Sequence, residues 1–125
     1  MAEPIQLDWH ALRDAAGPYS PEAFTFVHDG LGHTVRVCRE EAAPDEQHVS
    51  GSELCFGLRD LAQKRYGLLA RTVLERWGIR QTDDFGKIVF AMVDLGLMRK
   101  TEEDSFEDFV DVFDFDEAFD TLEAV

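Results

Sequence analysis

Ser50-Gly51-Ser52-Glu53-Leu54-Cys55-Phe56-Gly57-Leu58-Arg59-Asp60-Leu61-Ala62 opens the stretch that decides the fold. Its first four residues have the spacing of a capping box, in which the Ser50 hydroxyl and the Glu53 carboxylate each take a free backbone N–H. Leu54, Leu58, Leu61 and Ala62 then form an apolar stripe at helical period that stops at Gly67. A second helix carries Leu69, Ala70, Val73, Leu74 and Trp77 and stops at Gly78. A third starts at Thr82, with Asp83 and Asp84 in the first turn, where the helix dipole favours acids. It buries Phe85, Ile88, Val89, Met92 and Val93 and stops at Gly96. Glycine recurs at these stops because it enters the left-handed conformation past a helix end at least cost.

Downstream of Gly96 the pattern changes. Leu97-Met98-Arg99-Lys100 reads as a short strand, Thr101–Asp108 as an acidic loop, and Phe109–Phe113 as a second strand, giving a hairpin near residues 97–113. Phe106, Phe109, Val110 and Phe113 also fit i, i+3, i+4, i+7, so a helix competes there. The hairpin is preferred because residues 97–100 otherwise have no role. Asp114 or Asp116 can cap a last helix in which Phe115, Phe119 and Leu122 share one face.

Upstream, Ser20-Pro21-Glu22 places a capping serine, a proline at the first helical position and an acid at the positive end of the dipole. Phe24, Val27, Leu31, Val35 and Cys38 continue at helical spacing to Arg39. Gly30 and Gly32 each cost about 1 kcal/mol relative to alanine, so a break or kink is expected there. Leu7–Leu12 reads as a short helix ending at Gly17-Pro18. The expected fold is therefore mainly α with a small β-hairpin (α+β), a three-helix, winged-helix-like core with an N-terminal helix packed on it.

The 125 residues form one domain: a helical segment 1–39, an acidic linker 40–47, a helical core plus hairpin 48–113, and an acidic C-terminal helix 114–125. Two domains are excluded, since about 40 residues rarely sustain a core alone. Phe24, Leu54, Leu58, Val73, Leu74, Trp77, Ile88, Val89 and Met92 are the predicted core.

Charge bounds the partners. With 26 acidic and 12 basic side chains the net charge is −14, which disfavours nucleic acid and argues against an anionic membrane. No run free of charged residues is longer than Ala15–Pro21, too short for a transmembrane helix, and the N-terminus lacks the basic and apolar segments of a signal peptide. Two cysteines, Cys38 and Cys55, fit a reducing cytoplasm, and both fall on or beside apolar stripes as buried structural thiols would.

Motifs that carry chemistry are sparse. His10, His28, His33 and His48 show no metal-ligand spacing, and no phosphate loop or nucleophile elbow is present, so no metal, cofactor or catalytic residue is assigned. Asp111-Val112-Phe113-Asp114-Phe115-Asp116-Glu117 could hold a hard cation if extended, but it lacks the glycine of an EF-hand loop. Its alternating aromatics fit a half-buried element better. Were the third helix a DNA reader, Thr82-Asp83-Asp84 at its start would repel phosphates.

The distribution of charge is more specific. Residues 59–100 carry nine bases against five acids, and residues 101–125 carry 11 acids and no base. Arg65, Arg71, Arg76, Arg80 and Lys87 are candidates for a basic interaction surface, and Asp116, Glu117, Asp120 and Glu123 for an acidic tail lying against it. The alternative is that these are solvated faces.

Strings from His48 onward resemble an uncharacterised small-protein family found mainly in Planctomycetes and Verrucomicrobia. The likeness is carried by His48-Val49-Ser50-Gly51-Ser52-Glu53-Leu54, Trp77-Gly78-Ile79, Thr82-Asp83-Asp84-Phe85-Gly86, Lys100-Thr101-Glu102-Glu103-Asp104-Ser105 and Phe113-Asp114-Phe115-Asp116-Glu117-Ala118-Phe119. The resemblance implies a bacterial, cytoplasmic protein and supplies no activity. The residues favour a non-enzymatic protein-interaction or regulatory module with a protein partner. A winged-helix nucleic-acid regulator with a shielding tail and a carboxylate- or metal-dependent enzyme centred on Asp111–Glu117 are the alternatives.

Overall fold

The computed structural model describes residues 8–39 and 48–119. Its elements are α1 (Trp9–Ala16), α2 (Pro21–Arg39), α3 (Gly51–Tyr66), α4 (Ala70–Arg76), α5 (Thr82–Asp94) and α6 (Phe115–Phe119), with 3-10 turns at Gly67–Leu69 and Phe106–Phe109. The linker 40–47, and with it the predicted break between the two helical segments, lies outside the described residues. Among the described residues no helix is long and apolar enough to cross a membrane.

The capping box starts α3. The Ser50 N–H donates to Glu53 Oε1 at 3.0 Å, and the Glu53 N–H donates to Ser50 Oγ at 3.1 Å. Arg39 Nη2 donates to Glu53 Oε2 at 2.7 Å, which ties the end of α2 to the start of α3. The Ser50 backbone N–H, with Arg39 beside it, holds the Glu53 carboxyl below the usual range despite partial burial.

Antiparallel packing of α2 on α3 is unusually close. A Cβ on Gly57 would lie 1.8 Å from Thr34 Oγ1, and one on Gly30 would lie 2.0 Å from Leu58 Cδ2. Both glycines thus let the helices approach, and α2 runs through Gly30 and Gly32 without the break expected there. Thr34 Oγ1 turns back to donate to Gly30 O at 2.7 Å. Nearby, His33 Nε2 meets Asp60 Oδ2 at 2.7 Å and Lys64 Nζ reaches the same oxygen at 3.2 Å. These contacts, the His33 hydrogen bond foremost, lower the Asp60 pKa.

Phe24, Leu54, Leu58, Leu74, Ile88 and Met92 are buried as expected, together with Phe26, Ile79 and Phe85. Trp77 and Val89 sit at the margin of the core instead, and Val73 is only half-buried. Asp84 is a buried acid that organises backbone: its Oδ2 accepts the Arg80 and Gln81 N–H groups at 2.8 and 3.1 Å, and its Oδ1 accepts the Tyr19 hydroxyl. This pins the start of α5 to the connection between α1 and α2. Burial, reinforced by Asp84, raises the Tyr19 pKa.

The hairpin is overturned, and with it the winged-helix reading and its wing: among the described residues there is no strand. Past Gly96, at φ 77°, the N–H groups of Leu97 and Met98 both fold back onto Met92 O, at 2.8 and 3.3 Å. The chain therefore closes the end of α5 rather than extending from it, and Met98 is buried. Residues 106–109 form one 3-10 turn, with Asp108 Oδ2 accepting the Ser105 N–H at 3.0 Å. Phe109 fills a notch between two glycines: a Cβ on Gly51 or Gly86 would lie 2.8 or 2.9 Å from its side chain. Thr82 Oγ1 donates to Phe109 O at 2.6 Å and accepts the Val112 N–H at 3.1 Å. A side chain of α5 thus satisfies backbone groups that a strand ladder would have used.

Candidate functional site

An open apolar cleft of about 340 Å³ lies between α2, the N-terminal turns of α3, the second half of α5 and the segment 97–109. Leu31 and Val35 supply one wall, Val89 and Phe90 another, and Leu97 and Met98 close the end. Each wall has a sequence cause. Leu31 and Val35 continue the α2 stripe past the region where Gly30 brings α3 close, and Val89 and Phe90 stand at the flank of the α5 stripe whose centre is Phe85, Ile88 and Met92.

The polar rim is small and organised. His48 Nε2 meets Asp104 Oδ2 at 2.8 Å, and Asp104 also accepts the Thr101 N–H at 2.8 Å. Burial works to raise the Asp104 pKa, but the Thr101 N–H and His48 outweigh it and the net shift is downward. Arg99 and Lys100 line the same rim, with Lys100 Nζ 6.0 Å from the Phe90 ring centroid. Among the described residues no group of three or more His, Cys, Asp or Glu side chains could hold a metal ion.

The residues singled out from charge are dispersed. Arg65 Nη1 pairs with Asp29 Oδ2 at 3.2 Å, across to α2. Arg71 Nε reaches Glu75 at 3.3 Å on its own helix, and its Nη1 pairs with Asp116 of α6. Arg71 and Arg80 border one small cavity with Asp111 and Asp114. Arg76, Arg80, Lys87 and Glu117 are exposed. Asp120 and Glu123 lie outside the described residues, so the expected tail contact is visible only at its first turn, through Asp116. In the Asp111–Glu117 stretch, Asp114 Oδ1 accepts the Asp116 N–H at 2.7 Å and Phe115 is buried.

The thiols divide. Cys55 is buried, and desolvation pushes its pKa up to about 12, whereas Cys38 is exposed rather than buried as expected. Cys38 stands one residue before the end of α2, where it lines an open hollow with Glu53, Phe56 and Gly57 of α3.

Sequence reasoning does not find the cleft. It places Leu97 and Met98 in a strand, whereas their role as an end wall depends on the fold-back onto Met92. The available signal is that the α2 and α5 stripes carry further apolar residues, Leu31, Val35, Val89 and Phe90, which end up half-buried against the core. No known protein family, curated protein or solved structure matches the chain.

Proposed function

We propose that the protein is a non-enzymatic interaction module that binds a partner protein by taking apolar side chains into the cleft between α2, α3 and α5. The observation that carries this reading is the half-buried apolar wall of Leu31, Val35, Val89 and Leu97, which lines an open cleft among the described residues. An apolar groove is a form in which a short segment of a partner chain is docked, by seating its apolar side chains. The rim cations and the His48–Asp104 pair give orientation and specificity, while the wall gives affinity. The implied setting is a bacterial cytoplasm, in line with the family resemblance, and both thiols are free.

A displayed random-peptide library tests the reading. Peptides selected on the wild-type chain should be rich in Leu, Ile and Phe. They should bind Arg76→Glu as well as wild type and lose at least tenfold on Val35→Glu or Leu97→Glu, which put a charge into an apolar wall. Circular dichroism confirms that each variant is folded. Selected peptides that bind the Val35→Glu and Leu97→Glu chains unchanged would remove the cleft from the interface.

A further inference from the structure

A second cavity, of about 350 Å³, has a different chemistry. Phe26 of α2, Tyr66 at the end of α3 and Trp77 just past α4 line it, and Glu22, Asp29 and Arg65 stand around its mouth. The Tyr66 and Trp77 ring planes meet at 84° with centroids 5.8 Å apart, so the two rings form a corner. Phe26, buried, sits 5.5 Å from Trp77 and 6.5 Å from Tyr66 and forms the base. Tyr66 and Trp77 are only half-buried, although three mutually packed aromatic rings could have been closed over by the core.

The rings are held by the backbone around them. Trp77 O accepts the Ser20 N–H at 3.1 Å, directly before α2 begins, and Gly78 at φ 98° turns the chain away behind Trp77. Glu22 and Asp29 lie seven residues apart on α2 and so on the same face as Phe26. Arg65 pairs with Asp29 at 3.2 Å, and among the described residues no cation pairs with Glu22. The mouth therefore carries two carboxylates against one guanidinium, in a chain of net charge −14.

We propose that this cavity binds a quaternary ammonium group. The negative faces of aromatic rings attract a cation, most strongly when it is weakly hydrated. A quaternary ammonium has no N–H to satisfy, so it enters an aromatic corner without leaving a donor unpaired, as a primary ammonium would. The carboxylates at the mouth supply long-range attraction that apolar binding alone does not need. The Arg65–Asp29 pair partly neutralises that mouth, and an arriving cation competes with Arg65 for Asp29. The inference is independent of the peptide cleft, which lies on other faces of α2 and α3.

The probes are choline, tetramethylammonium and the neutral isostere of choline, 3,3-dimethylbutan-1-ol. The readout is tryptophan emission from a Trp9→Phe chain, in which Trp77 is the sole tryptophan. Choline and tetramethylammonium should change the emission saturably, and the neutral isostere should bind about tenfold or more weakly, the share that cation–π attraction contributes. Tyr66→Leu keeps apolar bulk but removes a ring, and should weaken choline about tenfold while leaving the circular dichroism unchanged. Arg65→Gln frees Asp29 and should bind choline severalfold more tightly at low salt, with the gain shrinking as salt rises. A trimethyllysine peptide and phosphatidylcholine vesicles, each against its unmethylated counterpart, distinguish a modified protein tail from a lipid headgroup as the source. An isostere that matches choline, no saturable response to any quaternary ammonium at tens of millimolar, or Arg65→Gln binding no tighter than wild type would overturn the proposal. The first two of these outcomes are read on intact site residues, so a poorly folding variant cannot protect it.

Discussion

Replacing Gly57 by alanine probes the crossing on which both cavities depend. In an ordinary helix interior the change should stabilise by about 1 kcal/mol, because alanine has the higher helix propensity. Here the new methyl would be placed 1.8 Å from Thr34 Oγ1, 2.8 Å from its Cβ and 3.0 Å from its Cγ2. Thr34 is β-branched and fully buried, so it has little freedom to move aside. Overpacking of this kind costs about 1–3 kcal/mol or more. Displacing Thr34 also strains its 2.7 Å hydrogen bond to Gly30 O, worth about 1 kcal/mol. The net expectation is a loss of about 1–3 kcal/mol, or a fall in Tm of about 4–12 °C. Gly32→Ala is the internal control, since the nearest atom to its Cβ is Arg36 Nη1 at 3.6 Å. It should raise stability by about 1 kcal/mol. Urea and thermal unfolding of both variants, with Thr34→Ala added to each, complete a double-mutant cycle. Coupling of Gly57→Ala to Thr34→Ala should be favourable and that of Gly32→Ala near zero. If Gly57→Ala stabilises as Gly32→Ala does, the close approach of α2 to α3 is refuted.

Thr82→Val keeps shape but leaves Phe109 O and the Val112 N–H without their hydroxyl partner, and should cost about 1–3 kcal/mol, with faster hydrogen exchange concentrated in residues 106–113. Thiol titration should label one cysteine, Cys38, rapidly in the native chain and Cys55 only on unfolding, because Cys55 is buried with its pKa pushed to about 12; two equally fast thiols would contradict the packing of α3. Glu53, Asp60 and Asp104 all have lowered pKa values in the folded chain, so the unfolded chain takes up more protons as the pH falls. The stability they contribute is present above their unfolded values, about pH 4, and is lost as the pH drops through the lower folded values. Glu53→Gln should therefore lower Tm at neutral pH and flatten its acid dependence below about pH 4, as followed by thermal melts across pH.

What the sequence made legible were features written locally. Ser50 and Glu53 announce a helix start through chemistry confined to four residues, and the structure has both hydrogen bonds of that box. Pro21 and Arg39 bound α2 because a proline start and a continuous apolar stripe require no knowledge of the partner helix. Gly30 and Gly57 were opaque for the opposite reason. Inside a helix a glycine reads as a weakness, and its purpose emerges only when another helix supplies Leu58 or Thr34 to occupy the missing Cβ. Trp77 misled in the same way: periodicity puts it on the buried stripe of α4, but its place past the last helical residue turns the ring to the margin.

The segment after Gly96 shows why the candidate sites were harder to read than the core. Leu97, Met98, Val110, Val112 and Phe113 have strand-like composition, and composition is what a strand assignment weighs. The outcome was instead set by where backbone donors and acceptors found partners. Met92 O accepts two N–H groups that a ladder would have used, and Thr82 Oγ1 takes the carbonyl and amide that a second strand would have offered. Gly51 and Gly86 left a notch that Phe109 fills, with Asp108 against Gly51 and Phe106 against Gly86. Once that segment lies flat across α3 and α5, its upstream half becomes the end wall of the cleft and delivers Arg99 and Lys100 to the rim. The cleft is therefore a consequence of one local capture, by the Met92 carbonyl, and two long-range ones, by the Thr82 hydroxyl and a pair of glycines. None of the three has a sequence period, and of the basic residues that charge singled out Arg65 borders the second cavity while Arg76 and Lys87 stand exposed away from both.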